Sequence, residues 1–267
     1  MGKCVQSMNH EGYEEHEEAR GSAPCTVVLV FLRHGQSEFN RQWRFTGWSD
    51  VDLTPAGAAE AERAGRLLQD AGYRFDCCCT SVLRRATRSA EIVLRTMGLD
   101  GVPVERSWRL NERHYGALEG MRPLRAALRF GLLPVLRCRV QLAFRPPALT
   151  RADRRFPGGD PRYAHLRPDE LPLTESLADT LARLRPCWEQ HIAPELRCGR
   201  SVLVVSHKNT LRLLTAMVEG RTAADRLGPG MRTGVPIVFE LDSTLAVRCR
   251  RVLGDERTTS EETVHRA

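Results

Sequence analysis

"TVVLVFLRHGQSEFN", Thr26 to Asn40, opens with an apolar run short enough for a buried strand. Arg33, His34 and the backbone-freeing Gly35 follow at once. A cation and an imidazole at the end of such a strand ask for a reason. Downstream, "LTPAGAAEAERAGRLLQDAG" reads as a helix: Thr54 can cap it, Pro55 suits its first position and Gly72 can end it. The strand-then-helix order repeats twice. Phe75–Cys79 leads into "TSVLRRATRSAEIVLRTMG", and Ser201–Val205 leads through His207 into a helix ending near "MVEG". Strands alternating with helices predict an α/β domain with a largely parallel sheet. Ligands in such folds bind outside the carboxyl ends of the strands. Arg33 with His34, and His207 with Lys208, then face one pocket, where cations and backbone N–H groups can surround an anion.

Composition sets the frame for this reading. With 267 residues and 42% hydrophobic content, the chain can bury one large core. A net charge of +7 favours acidic partners without choosing among nucleic acid, an anionic membrane face and phosphorylated small molecules. The nine cysteines form no CxxC pair, so neither a zinc knuckle nor a disulfide framework is expected, and Cys77–Cys79 read as strand core. No apolar run approaches a membrane span, and the N-terminus lacks a signal-peptide core, so a cytoplasmic protein is expected. Residues 1–24, rich in glutamate, read as a flexible tail, residues 25–255 as the catalytic domain and 256–267 as a C-terminal tail.

The segments "LRHGQSEFNRQWRFTGWSDVDLTPAG", "TSVLRRA", "SWRLNERHYGALEG", "DPRYAHLRPDELPLTESL", "SHKNTLR" and "TGVPIVFEL" occur in that order between Thr26 and Asp255. Together they resemble the cofactor-dependent phosphoglycerate mutases of the histidine phosphatase superfamily. The resemblance implies a three-layer α/β/α fold and an enzyme interconverting 3-phosphoglycerate and 2-phosphoglycerate through a phosphohistidine. It implies no metal, a homo-oligomer, and 2,3-bisphosphoglycerate as the priming phosphate donor. His34 matches the nucleophile, Glu112 the general acid/base, and Arg33, Arg85 and His207 the phosphate pocket. Ser37, Asn40, Thr46, Gly47, Arg113, Tyr115 and Asn209 fall on positions that contact phosphate or substrate. The chemistry fits the residue types: a neutral imidazole is a good nucleophile, and surrounding cations stabilise the transferring group while disfavouring imidazole protonation.

The departures cluster. Pro123 stands where the family has a lysine, Cys138 replaces a tryptophan, and of two paired arginines only Arg139 remains, the second being Val140. Lys208 replaces a glycine; its ammonium either restores part of the lost grip or crowds the substrate where the backbone needs glycine's freedom. Weaker retention of the bisphosphate would turn a mutase into a phosphatase, the alternative reading. A third reading is an inactive, membrane-associated binding protein. The segment 121–155 holds nine arginines and one acid, Asp153, with Gly131 and Pro134 expected to interrupt a long helix. It reads as a lid with its apolar residues turned inward, or as a basic, apolar face for an anionic membrane; nucleic acid is disfavoured because aromatic interleaving is absent. "MGKCVQS" adds Gly2 and Cys4 as possible acylation sites, with Gln6 where serine or threonine is usual.

Overall fold

The computed structural model describes residues 26–221 and 230–254. The expectations for residues 1–24, Gly2 and Cys4 included, and for 256–267 lie outside the described residues. Within them, six strands form one sheet: β1 (Val27–Arg33), β2 (Cys77–Thr80), β3 (Val104–Arg106), β4 (Val202–Ser206), β5 (Pro236–Leu241) and β6 (Val247–Val252). Their spatial order is β3-β2-β4-β1-β5-β6. The first four run parallel, and β5 and β6 complete the sheet antiparallel. The helices are α1 (Glu38–Arg41), α2 (Pro55–Asp70), α3 (Arg84–Thr96), α4 (Pro123–Phe130), α5 (Leu132–Val140), α6 (Leu177–Cys187), α7 (Ala193–Arg197) and α8 (Lys208–Val218).

The central strands read as unbroken apolar runs because both sheet faces are covered. Leu29, Phe31, Val202 and Val204 join one core with Leu184 of α6 and Leu211 and Leu214 of α8. The intervening Val30, Leu32, Leu203 and Val205 meet Ala61, Ala64 and Leu68 of α2 and Ala90 and Val93 of α3 on the other side. Each fully buried large aliphatic side chain contributes about 1.5–3 kcal/mol. The three cysteines divide the same way, Cys77 and Cys79 to one core and Cys78 to the other. The expected α/β/α layering is therefore present.

Local chemistry sets the boundaries. Thr54 caps α2 by accepting from the Gly57 N–H at 3.0 Å, and Pro55 opens the helix. The basic segment breaks at Gly131, whose φ of +86° suits glycine, while Pro134 sits in the first turn of α5, where its missing N–H is tolerated. Strands β1 and β4 pair in register through Arg33 and Ser206, and the His34 N–H donates to the Ser206 carbonyl at 3.0 Å. Two strands therefore end level, and His34 and His207 emerge side by side.

Candidate active site

His34 leaves β1 fully enclosed, 3% exposed. Its Nδ1 lies 2.7 Å from the Gly35 carbonyl, and its Nε2 lies 3.3 Å from Arg85 Nε. A carbonyl can only accept and a guanidinium can only donate, so the proton sits on Nδ1 and the Nε2 lone pair faces the cations. Burial, then Arg85 and Arg33, hold the imidazole pKa well below its ordinary value; the Gly35 bond opposes them more weakly. The neutral, nucleophilic form is thus built in, with desolvation a larger cause than the neighbouring cations that sequence reasoning invoked.

Arg85 sits in the first turn of α3 and is itself buried, which lowers its pKa to about 10. Its Nη2 donates to the Gly47 carbonyl at 2.8 Å and its Nη1 to the Ser49 carbonyl at 2.9 Å. That loop is fixed by Glu119, which accepts from Trp48 N and Tyr115 N through Oε1 and from Ser49 Oγ through Oε2. Gly47, at φ +54°, leaves room for this carboxylate: a Cβ there would lie 1.8 Å from Glu119 Oε1. Gly35 makes a second close approach, because its Cβ would fall 2.0 Å from the Gly57 carbonyl oxygen. The His34 loop therefore lies directly on the start of α2, and Ser89 Oγ accepts from Gly35 N at 3.1 Å.

The His207 ring stands edge-on to His34, centroids 5.0 Å apart. Its Nε2 is 2.8 Å from Ser81 Oγ, whereas its buried Nδ1 has no partner among the described residues. Burial and Arg85 hold His207 neutral too. Glu112 accepts from Arg113 N at 2.8 Å and from Asn209 N, at the start of α8, at 3.4 Å. Asn209 Nδ2 donates to Tyr115 Oη at 2.8 Å, and the Arg113 guanidinium lies 4.4 Å over the Tyr115 ring. Arg113 is 1% exposed; its Nη2 donates to the Cys138 carbonyl at 2.6 Å, and its Nε and Nη1 have no partner among the described residues. Arg33 donates through Nη1 to the Met231 carbonyl, and its buried Nε has no partner among the described residues.

The remaining expected residues are placed as follows. Ser37 and Asn40 form the capping box of α1, each accepting from the other's backbone N–H, and Thr46 is buried beside Gly47. Lys208 begins α8 with its stem against Gly230, where an added Cβ would meet Cε at 3.2 Å. Arg139 and Val140 close α5, and their side chains lie outside the description. Pro123 takes the first position of α4. Sequence reasoning missed four contributors. Ser81 and Glu119 lie inside motif segments yet carry no local signal of their own. Glu175 and Arg183 form a buried pair, 2.6 Å apart, that grips the carbonyls of Asn111 and Glu112. Only the tertiary fold brings α6 to the segment bearing Glu112.

Fold and site together place a neutral histidine nitrogen among buried cations and one acidic side chain. The sequence profile of the histidine phosphatase superfamily (branch 1) matches residues 29–154 of this chain. Solved structures agree on the fold. A mycobacterial glucosyl-3-phosphoglycerate phosphatase is 24% identical, with 85% of this chain and 97% of that one covered and a TM-score of 0.64. The α-ribazole phosphatase of Shigella flexneri is 21% identical over 86% and 96% of the two chains, at 0.63. YhfR of Bacillus stearothermophilus is 25% identical over 81% and 92%, at 0.58.

Proposed function

We propose that the protein is a phosphotransferase of the phosphoglycerate mutase type, interconverting 3-phosphoglycerate and 2-phosphoglycerate through a phosphohistidine on His34. The observation carrying this reading is that the site holds two sets of donors. Arg33, Arg85 and His207 surround the His34 nitrogen, and Arg113, with two buried nitrogens that have no partner among the described residues, stands beside Tyr115, Asn209 and Glu112. One set suits a transferring phosphoryl group and the other a second anion on the same small molecule. A phosphoglycerate carries both, and one of the structural neighbours is named for a phosphoglycerate-containing substrate.

The chemistry follows from the geometry. The Nε2 lone pair of His34 attacks phosphorus while the P–O ester bond breaks, and Glu112 gives its proton to the departing oxygen. Arg33, Arg85 and His207 hold the equatorial oxygens. In return, Glu112 takes the proton of an incoming hydroxyl, that oxygen attacks phosphorus and the N–P bond breaks. The unpartnered nitrogens of Arg33, Arg113 and His207 fit the two anionic ends of 2,3-bisphosphoglycerate, which when bound supplies the phosphoryl group that loads His34. A loading experiment tests this. Trace labelled bisphosphoglycerate should leave acid-labile phosphate on the protein and none on His34→Ala; equal labelling of both would end the proposal.

One observation favours a second reading, a phosphatase for a small phosphorylated metabolite. Pro123 occupies the first turn of α4 without the cation that the mutase resemblance expects there. With a looser grip on the bisphosphate, water becomes the acceptor in the second step.

A further inference from the structure

The α4–α5 hairpin turns part of its apolar surface outward. Ala126, Val135 and Cys138 face inward to a small core with Phe45 and Leu118. On the opposite side Leu124, Leu128, Leu132, Leu133 and Leu136 are 73, 82, 60, 62 and 49% exposed. On α4, Leu124 and Leu128 share a face, as do Arg125 and Arg129 beside them; on α5, Leu133 and Arg137 share one. Arg122, Arg125, Arg129 and Arg137 are all exposed, and no acidic residue occurs between Glu119 and Asp153.

We propose that this face docks on an anionic phospholipid surface, the leucines entering the boundary between headgroups and acyl chains and the arginines meeting lipid phosphates. Three features select this occupant. A helix pair with leucines on its outer arc, exposed arginines beside them and no acidic residue on either helix has the makeup of an interfacial element. At these exposures the leucines stand clear of their neighbours instead of lining a groove, which suits a deformable interface better than a folded protein. A second copy of the chain would bring arginine against arginine, and like-charge juxtaposition opposes association. The hairpin also touches the reaction site, because the Cys138 carbonyl accepts from Arg113 at 2.6 Å.

The test is co-sedimentation of the unacylated full chain with vesicles of phosphatidylcholine alone or mixed with phosphatidylserine. The chain should partition to the mixed vesicles and be released by salt. Arg125→Gln with Arg129→Gln should weaken binding by about 30-fold, since each basic residue at such a surface contributes about 1 kcal/mol. Leu128→Ser with Leu132→Ser should abolish it. Both double variants should keep the wild-type melting temperature and turnover. No partition of the wild type, equal partition to both vesicle types, or unchanged binding by the leucine variant would overturn the proposal. So would a dimer in sedimentation velocity that the leucine variant dissolves, which would make a second copy the occupant.

Discussion

Two hydrogen bonds of opposite polarity settle the state of His34. Because Gly35 can only accept and Arg85 can only donate, the lone pair is presented at Nε2 before any substrate arrives. Burial removes the competing imidazolium form from both His34 and His207. Neither ring should titrate between about pH 8 and pH 6, a range in which a solvated histidine of pKa about 6.5 gains most of its proton. Imidazole chemical shifts that stay constant would bear this out, and a mid-point near the ordinary value would contradict it. In the proposed reaction Glu112 has the complementary task. Glu112→Gln should lower turnover of an alkyl phosphate by about 10²- to 10⁴-fold. With an ester whose leaving group needs no proton, the same variant should lose much less. Equal losses on the two substrates would remove Glu112 from proton transfer.

At the scale of elements, the site shows where local rules give way. Arg84 and Arg85 open α3, although positive charge is disfavoured at a helix N-terminus. The cost is offset by the carbonyls of Gly47 and Ser49, which bind Arg85, and by Asp50, which accepts from Arg84 N at 2.7 Å. Glu119 thus fixes the loop whose carbonyls hold Arg85. Glu119→Ala leaves two buried N–H donors without acceptors, each costing about 1–3 kcal/mol, and should reduce turnover by displacing Arg85. Glu119→Gln keeps one acceptor oxygen and should restore most of the loss; if it behaves like alanine, the charge and not the bonding matters. Gly35→Ala forces a methyl group into the Gly57 carbonyl and should cost about 1–3 kcal/mol or more in thermal unfolding. An unchanged melting temperature would show that the loop tolerates separation from α2.

The same scale explains what the sequence made legible. Strands β1, β2 and β4 were readable because burial on both faces writes an apolar run, and α2 because Thr54 and Pro55 mark its start. Their ends still moved by one or two residues, since hydrogen-bond registry and not hydropathy sets where a strand stops. Strand β3 is three residues long and exposed, and β6, VRCRRV, is a half-buried edge rich in arginine, so neither carries an apolar signature. The catalytic segments were legible through family resemblance. The clamp of Glu175 and Arg183 was not, because it is an encounter between distant segments.

For the whole molecule, the buried neutral histidines tie stability to pH. The folded pKa values of His34 and His207 lie below their unfolded ones, so the unfolded chain binds more protons once the pH falls under about 6.5. Stability should therefore hold above that pH and fall below it by up to about 1.4 kcal/mol per pH unit for each histidine. Urea unfolding at pH 7.5, 6.5 and 5.5 (about one unit apart) would show the loss, and His207→Gln should make it shallower; a flat profile would mean that the rings are solvated. The architecture supports the central claim at this scale. Parallel strands ending level deliver two histidines to one point, α3 brings a cation, and the basic hairpin meets Arg113 through the Cys138 carbonyl.

The most direct test of that claim is a ³¹P NMR time course with 3-phosphoglycerate, with and without catalytic 2,3-bisphosphoglycerate, using His34→Ala as the control. The account predicts growth of 2-phosphoglycerate that depends on both the bisphosphate and His34. Release of inorganic phosphate without isomerisation would contradict the mutase assignment and leave a phosphatase on the same site, and turnover that survives His34→Ala would contradict the site itself.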